Sequence, residues 1–455
     1  MLITIEEFAR KLRLREVTAL DVTNACLQRI EKLQPSLNAF IRVMADEARR
    51  DADTADRELA AGRDRGPLHG VPVGVKDIID IEGIPTTAAS RVREGHVARS
   101  NAPVITCLRD AGAVIIGKTN LDEFAFGTTS DNSAFGAVHH PLDPARSPGG
   151  SSGGSAVAVA AGMALAALGT DTGGSIRIPA AACGIVGLKP TLGEVSTDGV
   201  VPLSRTFDHV GPFARTVGDA RLLHQATSGI TGDSRSSGAD LRRSAADLRL
   251  GIPRGYLTDL LDGDVRARFD EAAAALRSAG ATLTDVSIPR ASMTPAVYVH
   301  IHSSEGATYH ARTLDAVPDR YTPVVRRRLE VGRYVLAQDY QRAMEGRALL
   351  RREVDAALTG CDALILPTLP IAAPPAGAES VLVNGAPEPV RALMLRLTQL
   401  FNVTGNPAIS VPCGVTSDGL PVALQIVGHR DRTGDLLDTA QAIERLLYNG
   451  RNYLV

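Results

Sequence analysis

Two glycine- and serine-rich clusters lie within residues 147–190. The first reads PGGSSGGS around Ser151, and the second reads DTGGSIRIP and contains Ser175. Glycine allows a tightly turned backbone, and such loops can aim several N–H groups at an anion. A serine hydroxyl among those N–H groups offers a nucleophile beside an oxyanion hole, which is what acyl transfer needs. The alternative, a pair of flexible linkers, is disfavoured because the apolar run AVAVAA separates the clusters.

Lysine is rare in this chain, which makes each lysine informative. Of 49 basic residues only five are lysine: Lys11, Lys32, Lys76, Lys118 and Lys189. Arginine stays protonated in proteins, whereas a desolvated lysine can lose its proton. Lys76 lies near the end of an alternating apolar run, GVPVGVKDIID, which predicts a buried strand. A neutral lysine can serve as general base for a serine, so Lys76, Ser151 and Ser175 are the candidate catalytic residues.

Two other segments match the consensus sequences of known functional motifs, but the residues around them do not predict the structure that those motifs need. Residues 112–119 fit the phosphate-loop pattern GxxxxGK[ST], but the residues between the glycines, AVII, themselves predict a strand. Residues 149–153 fit the GxSxG elbow, but the preceding HHPLDPARSP is polar and proline-rich instead of a hydrophobic strand. None of the ten histidines lies in a setting that suggests a Ser-His-Asp triad. Lys118 is therefore expected to be structural.

Composition excludes several function classes. The chain has 455 residues, 44% of them hydrophobic, and a formal net charge of −2. This balance gives no sign of a nucleic-acid surface. No apolar run is long enough to span a membrane, and the first residues lack the order of a secretory signal. Five scattered cysteines without a CxxC pair indicate a reduced, cytoplasmic protein without a zinc cluster. No metal or cofactor is expected.

Strands alternate with helices along the chain, which predicts an α/β fold. We expect one large domain over residues 1–455, with a central mixed sheet covered by helices on both faces and a helical cap subregion around 290–400. Strands are predicted at 39–43, 113–117, 249–253, 281–289, 363–370, 407–412 and 421–428, besides the one that carries Lys76. Helices are predicted at 3–12, 18–33, 45–62, 103–111, 216–229, 264–279 and 432–447, and over much of 305–357.

Several motifs together resemble the amidase signature family. They are GVPVGVKDIID, TNLDEFAFGTTSDNSAFG, GGSSGGSAVAVAAG, GTDTGGSIRIPAAACGIVGLKPT and FNVTGNPAISVPCGVTSDGLPVALQIVG. The resemblance covers most of the chain and is weakest at about 230–360. It implies the amidase signature fold and a hydrolase that cleaves an amide-type C–N bond in an amide, anilide or carbamate, with esters also accepted.

The resemblance also implies a role for each site residue. Ser175 would be the nucleophile, Lys76 the base, and Ser151, on a cis peptide after Gly150, the proton relay between them. The carbonyl oxygen of Ala125 would lie against the substrate. The oxyanion hole would consist of the backbone N–H groups of Thr172, Gly173, Gly174 and Ser175. Structural roles are expected for Asp171 and Arg177, which would hold the loop, for Lys189, which would anchor backbone, and for Cys183, which would pack in the core.

Two further functions stay open at this point. One is the A subunit of a glutamyl-tRNA(Gln)/aspartyl-tRNA(Asn) amidotransferase, acting as a glutaminase, although the short chain and the segment GVVPLSRTFDHVGP favour a stand-alone amidase. The other is a non-catalytic binding protein, which is remote because all three triad positions are filled.

The expected partner is a small-molecule amide or carbamate, with no nucleic acid or membrane partner and with a homodimer left open. An apolar or aryl acyl amide is favoured as substrate. The arginine-rich helix at 324–333 is expected to be a solvated face. The pocket residues expected within 290–405 are Tyr298, Tyr309, Leu395, Gln399 and Phe401.

Overall fold

A mixed sheet of eleven strands organises the part of the chain that the computed structural model describes, residues 3–229 and 244–448. The strands are β1 Phe40–Val43, β2 Pro72–Lys76, β3 Val114–Thr119, β4 Ala166–Thr170, β5 Val186–Lys189, β6 Val210–Ala214, β7 Arg249–Pro253, β8 Thr282–Val286, β9 Ala363–Pro367, β10 Ser380–Val383, β11 Ala386–Pro389, β12 Ala408–Val415 and β13 Pro421–Val427. Strands β10 and β11 form a separate antiparallel hairpin.

Fourteen helices accompany these strands in the described residues. They are α1 Ile5–Arg13, α2 Ala19–Leu37, α3 Ala45–Ala60, α4 Pro103–Asp110, α5 Gly153–Ala160, α6 Arg177–Cys183, α7 Val217–Thr227, α8 Gly263–Ser278, α9 Thr294–Ala316, α10 Pro323–Gly332, α11 Ala337–Leu358, α12 Val390–Arg396, α13 Gln399–Thr404 and α14 Thr433–Tyr448.

The strand order in the large sheet is β1-β3-β2-β4-β6-β5-β12-β13-β9-β7-β8. Strand β2 runs parallel to β3 on one side and to β4 on the other, whereas β4 pairs antiparallel with β6. The carboxyl ends of β2 and β4 therefore meet at one edge of the sheet, where β2 delivers Lys76 and β4 delivers Thr170. The predicted α/β fold with a mixed, helix-covered sheet is confirmed.

Several elements around the two glycine-rich clusters, among them β4, α6, β5 and β6, carry no pattern that predicts them from the sequence. Strand β4 reads AALGT and helix α5 reads GGSAVAVA, and all of these residues are buried. Alanine and glycine carry little strand propensity, and their role is close packing. A side chain at Gly169 would lie 2.5 Å from the Phe213 ring, and one at Gly187 would lie 2.6 Å from Ala180.

The region of the expected helical cap, 290–400, contains the helices α9, α10 and α11 together with strand β9 of the large sheet. Helices α9 and α11 pack through buried side chains such as Val297, Ile301, Leu350 and Val354. The treatment of this region as a separate cap stays a prediction. Its relevance to the site is that α9, α12 and α13 border the second glycine-rich loop.

Candidate active site

Lys76 ends strand β2 inside the protein and has no exposed surface. Its Nζ donates hydrogen bonds to Ser151 Oγ at 2.9 Å and to Thr170 Oγ1 at 2.8 Å. Burial lowers the pKa of Lys76 to about 7, against the opposing pull of the carboxylates of Asp122, Asp171 and Asp208. A lysine with such a pKa is substantially neutral at physiological pH and can accept a proton.

Ser151 lies in the loop that leads into α5, and the Gly150–Ser151 peptide bond is cis, as the resemblance implies. The Asp122 amide donates to the Ser151 carbonyl at 3.1 Å. The Asp122 carboxylate in turn accepts from the amides of Ser130 at 2.9 Å and Asn132 at 3.2 Å. A side chain at Gly150 would lie 2.4 Å from this carboxylate. Asp122 therefore fixes the backbone on which Ser151 is presented.

Ser175 lies between β4 and α6, in the loop of residues 171–176. The Ser152 amide donates to the Ser175 carbonyl at 3.3 Å, so the two serine loops lie side by side. Lys76 and Ser151 are fully buried, whereas Ser175 keeps 6% of its surface exposed. Among the three predicted catalytic residues, Ser175 is thus the one that a substrate can reach.

Asp171 and Arg177 hold this loop in place. The two side chains form a fully buried ion pair, with Arg177 Nη2 at 2.9 Å from Asp171 Oδ1. Asp171 also accepts from the Ile176 amide at 3.1 Å and from Asn402 Nδ2 at 2.7 Å. Burial alone would raise the pKa of Asp171, but the Arg177 guanidinium, followed by the Lys189 charge and the Asn402 hydrogen bond, holds it well below its usual value. The predicted structural role of this pair agrees with these contacts.

The conformation of the loop depends on two glycines. Gly174 has a φ of +142°, and a side chain there would lie 2.3 Å from Thr398 Oγ1. A side chain at Gly173 would lie 2.6 Å from the Tyr298 hydroxyl. Thr398 Oγ1 donates to the Gly173 carbonyl at 2.7 Å. Glycine is therefore required at 174 by both backbone conformation and space, whereas a side chain at 173 would displace Tyr298.

The amides of this loop are free to bind an anion. Thr172 uses its hydroxyl to donate to Asp208 Oδ1 at 2.6 Å. Within the described residues, no group accepts a hydrogen bond from the amides of Thr172, Gly173, Gly174 or Ser175. Four unpartnered donors next to a partly exposed serine are compatible with an oxyanion hole here, which stays a prediction.

Ala125 lies in the turn that follows Asp122, where Phe124 and Ala125 have positive φ values of 50° and 61°. The Ala125 amide donates to the Asp122 carbonyl at 2.8 Å. The next carbonyl, that of Phe126, accepts from Arg328 and, at 3.4 Å, from Arg391. Arg328 therefore points inward from α10, so the expectation of a wholly solvated face at 324–333 was wrong for this residue. Contact between Ala125 and substrate stays a prediction.

Lys118, Lys189 and Cys183 lie outside this centre. Lys118 forms a buried ion pair with Asp77, with Lys118 Nζ at 2.9 Å from Asp77 Oδ1. Its charge is therefore paired within the protein, in line with a structural role and not with phosphate binding. Lys189 donates to the carbonyls of Asn406 and, at 3.0 Å, Pro190, as its predicted anchoring role requires. Burial raises the pKa of the Cys183 thiol, which keeps it protonated and suits packing.

Sequence reasoning missed three residues that contact the predicted site residues in the structure: Thr170, Asp122 and Asp208. Thr170 lies within the motif GTDTGGS, but nothing in that motif indicates that its hydroxyl contacts the lysine. Of the expected pocket residues, Tyr298, Leu395 and Gln399 line a cavity of about 340 Å³ beside the glycine loop. Tyr309 lines a different cavity, and Phe401 is wholly buried in the core, so neither belongs to this one.

The described residues contain no group of three or more His, Cys, Asp or Glu side chains arranged to hold a metal ion. In the same residues, no helix is long and apolar enough to cross a membrane.

Comparison with known proteins places this geometry in a family. The chain is 41% identical to the A subunit of the glutamyl-tRNA(Gln) amidotransferase of Anaeromyxobacter sp. (strain K), over 95% of this chain and 94% of that protein. A solved structure described as an amidase shares 37% identity and a TM-score of 0.92, over 98% of this chain and 100% of its own. The corresponding amidotransferase protein of Thermotoga maritima shares 33% identity and a TM-score of 0.81, over 99% and 96%. The family model named Amidase matches residues 21–437. The chain therefore belongs to the Amidase family of enzymes.

Proposed function

We propose that this enzyme hydrolyses an amide-type C–N bond through an acyl-enzyme formed on Ser175. The observation that carries the proposal is the 2.9 Å hydrogen bond between Lys76 Nζ and Ser151 Oγ in a fully buried setting. A lysine with a pKa near 7 can take the Ser151 proton. Ser151, in the loop adjacent to Ser175, can take the Ser175 proton in the same step.

In the first half of the reaction, Ser175 Oγ attacks the substrate carbonyl carbon while its proton passes to Ser151 and the Ser151 proton passes to Lys76. The oxyanion that forms is stabilised by the free amides of the loop 172–175, and removal of one such donor costs about 10²–10³ in rate. Lys76 returns its proton through Ser151 to the leaving nitrogen, the C–N bond breaks, and the amine departs.

In the second half, water attacks the acyl-enzyme and gives up a proton along the same relay. The C–O bond to Ser175 breaks, and the relay returns a proton to Ser175 as the acid is released. Every proton taken by Lys76 is given back within the cycle. The step sequence uses only side chains and backbone amides of this chain.

An apolar or aryl acyl amide is the favoured substrate, with carbamates and esters as further substrates. The support for this is the cavity of about 340 Å³ that adjoins the glycine loop through Tyr298 and Leu395 and is lined largely by apolar side chains. A single-chain cytoplasmic amidase, acting alone or as a homodimer, is the first candidate role.

Glutaminase activity within an amidotransferase is the second candidate role. The sequence comparison favours it, because the amidotransferase relative from Anaeromyxobacter aligns over nearly the full length of both chains. Because the two chains align over 95% and 94% of their lengths, the length of this chain does not favour a stand-alone enzyme over an amidotransferase subunit. The solved amidase structure, with its higher identity and TM-score than the Thermotoga protein, supports the first role.

The test is hydrolysis by the purified protein of a 4-nitroanilide, an aryl carbamate, an aliphatic amide and glutamine, beside the variants Ser175→Ala and Lys76→Ala. Anilide or carbamate cleavage that both variants lose supports a stand-alone amidase. Glutamine cleavage that rises when amidotransferase partner proteins are added supports the second role. Activity that survives Ser175→Ala rejects the proposed chemistry for both.

A further inference from the structure

The cavity of about 340 Å³ beside the glycine loop is lined by two arginines, Arg391 and Arg396, that have no role in the proposed mechanism. It is bordered by α9, α12 and the turn at Gly255–Leu257. Tyr298 and Leu395, which line it, are also the side chains that a Cβ atom at Gly173 would meet first, at 2.6 Å and 3.1 Å. A group in this cavity is therefore adjacent to the loop that carries the predicted nucleophile.

Arg396 enters the cavity without an anionic partner. Its guanidinium lies 3.9 Å from the centre of the Tyr256 ring, and both residues line the cavity. The Arg396 Nε is buried and has no hydrogen-bond partner. In the described part of the chain, no carboxylate forms an ion pair with this guanidinium. A buried donor without a partner is unfavourable, and that penalty is relieved when a ligand supplies the acceptor.

Arg391 adds a second positive charge from the same helix, α12. The one hydrogen bond of its guanidinium among the described residues is the long 3.4 Å contact with the Phe126 carbonyl. Glu388 lines the cavity as well, and burial lowers the pKa of His302 there to about 3, so this imidazole is neutral at physiological pH. Two arginines against one glutamate leave the cavity with a net positive charge.

The remaining lining is apolar and includes Leu260, Pro295, Leu393 and Leu395. We propose that this cavity binds a carboxylate carried on an apolar or aromatic body, with the carboxylate held by Arg396 in the positive field of Arg391. The planar guanidinium matches a carboxylate in shape and can bind both its oxygens. This inference rests on the proposed function and narrows its substrate to an amide or carbamate that bears a carboxylate.

The carboxylate can belong to the acyl portion or to the amine portion of the substrate, and two pairs of probes separate these sources. The acyl pair is 4-carboxybenzoic acid mono-4-nitroanilide and benzoic acid 4-nitroanilide. The amine pair is N-benzoyl-4-aminobenzoate and its methyl ester. The quantity compared is the ratio of kcat/KM for the charged and the neutral member of each pair, so intrinsic reactivity cancels between enzyme variants.

The variants are Arg396→Met and Arg391→Met, with Arg342→Met as matched control because Arg342 is an exposed arginine on α11 paired with Asp339. In one of the two pairs, Arg396→Met should lower the ratio by about 10- to 100-fold, the range expected for a hydrogen bond to a charged group. Arg391→Met should lower the same ratio by a smaller factor. Arg342→Met should leave it at the wild-type value.

A ratio that is the same for wild type and Arg396→Met in both pairs would overturn the inference. So would a strong preference for glutamine that Arg396→Met leaves intact, since the arginines disfavour its ammonium group. Calorimetric titration of Ser175→Ala with 4-carbamoylbenzoate gives a second readout that needs no turnover, and Arg396→Met in that background should weaken binding by a similar factor. If no probe is cleaved at all, the proposed function is rejected. The titration still tests the carboxylate site independently, because binding that Arg396→Met does not weaken would reject that site.

Discussion

Lys76 and Thr170 meet where the parallel strands β2 and β4 both end, with Lys76 Nζ at 2.8 Å from Thr170 Oγ1. The Thr170 amide and carbonyl are bonded in turn to the Ser152 hydroxyl, at 3.3 Å and 3.1 Å. The position of the lysine amine is therefore coupled to both serine loops through one strand end. The sheet supplies the rigid part of the site, and the two loops supply its reactive groups.

The variant Thr170→Val removes one of the two side-chain acceptors of Lys76 and keeps the shape of the side chain. We expect kcat to fall by about 10-fold, because the lysine loses part of its orientation toward Ser151, with the fold intact. Thr170→Ser keeps the hydroxyl and should recover most of the rate. Equal rates for wild type and Thr170→Val would show that this hydrogen bond does not position the base.

The reaction should depend on pH through Lys76. The neutral amine is the active form and its pKa is about 7, so kcat/KM should rise roughly tenfold per pH unit below 7 and level off above it. The measurement is a pH–rate profile with a neutral anilide. A profile that falls as pH rises through 7 would mean that a protonated group, not a neutral Lys76, is needed.

The variant Gly174→Ala tests the predicted oxyanion loop. The added methyl group would lie 2.3 Å from Thr398 Oγ1 at a φ that side chains rarely adopt, so the loop must move. We expect kcat/KM to fall by about 100-fold or more, as for loss of one oxyanion donor. Gly263→Ala, in α8, is the matched control because nothing lies within 4 Å of the added methyl group. Parallel effects of the two substitutions would argue against a special role for the loop.

The variant Arg177→Met should destabilise the protein by about 3–5 kcal/mol, because it leaves the Asp171 carboxylate buried without its partner. The pKa of folded Asp171 is held below its unfolded value, so the stability it contributes is complete above the unfolded pKa and is lost as pH falls toward the folded pKa. Denaturant unfolding at pH 7 checks the first point. A loss below about 1 kcal/mol would indicate that solvent or another cation replaces Arg177.

The sequence is sufficient to predict the alternating strands and helices because their hydrophobic periodicity is strong. The helix predicted at 18–33 is found as α2, Ala19–Leu37, and the Thr18 hydroxyl caps it by accepting from the Asp21 amide at 3.0 Å. Strand β4 escapes prediction because its residues, AALGT, are small and carry no alternating pattern. Its position in the sheet depends on the close approach of Phe213 to Gly169, which is a tertiary contact.

The candidate site also has residues that the sequence predicts and residues that only the structure identifies. The motifs identify Lys76 and Ser151, and the structure joins them by a hydrogen bond. The motif GTDTGGS contains Thr170 without indicating its role, and Arg396 lies in none of the motifs, because the role of each depends on its neighbours in space. Sequence spacing does not record which buried donor lacks an acceptor.

The most direct test of the central claim is to trap the acyl-enzyme and locate it. Rapid acid quench of the enzyme with an activated aryl ester or anilide, followed by peptide mass spectrometry, should find the acyl group on Ser175 in wild type and no adduct in Ser175→Ala. Lys76→Ala should form the same adduct at least about 10²-fold more slowly. Acyl transfer to another residue, or turnover by Ser175→Ala at the wild-type rate, would contradict the account.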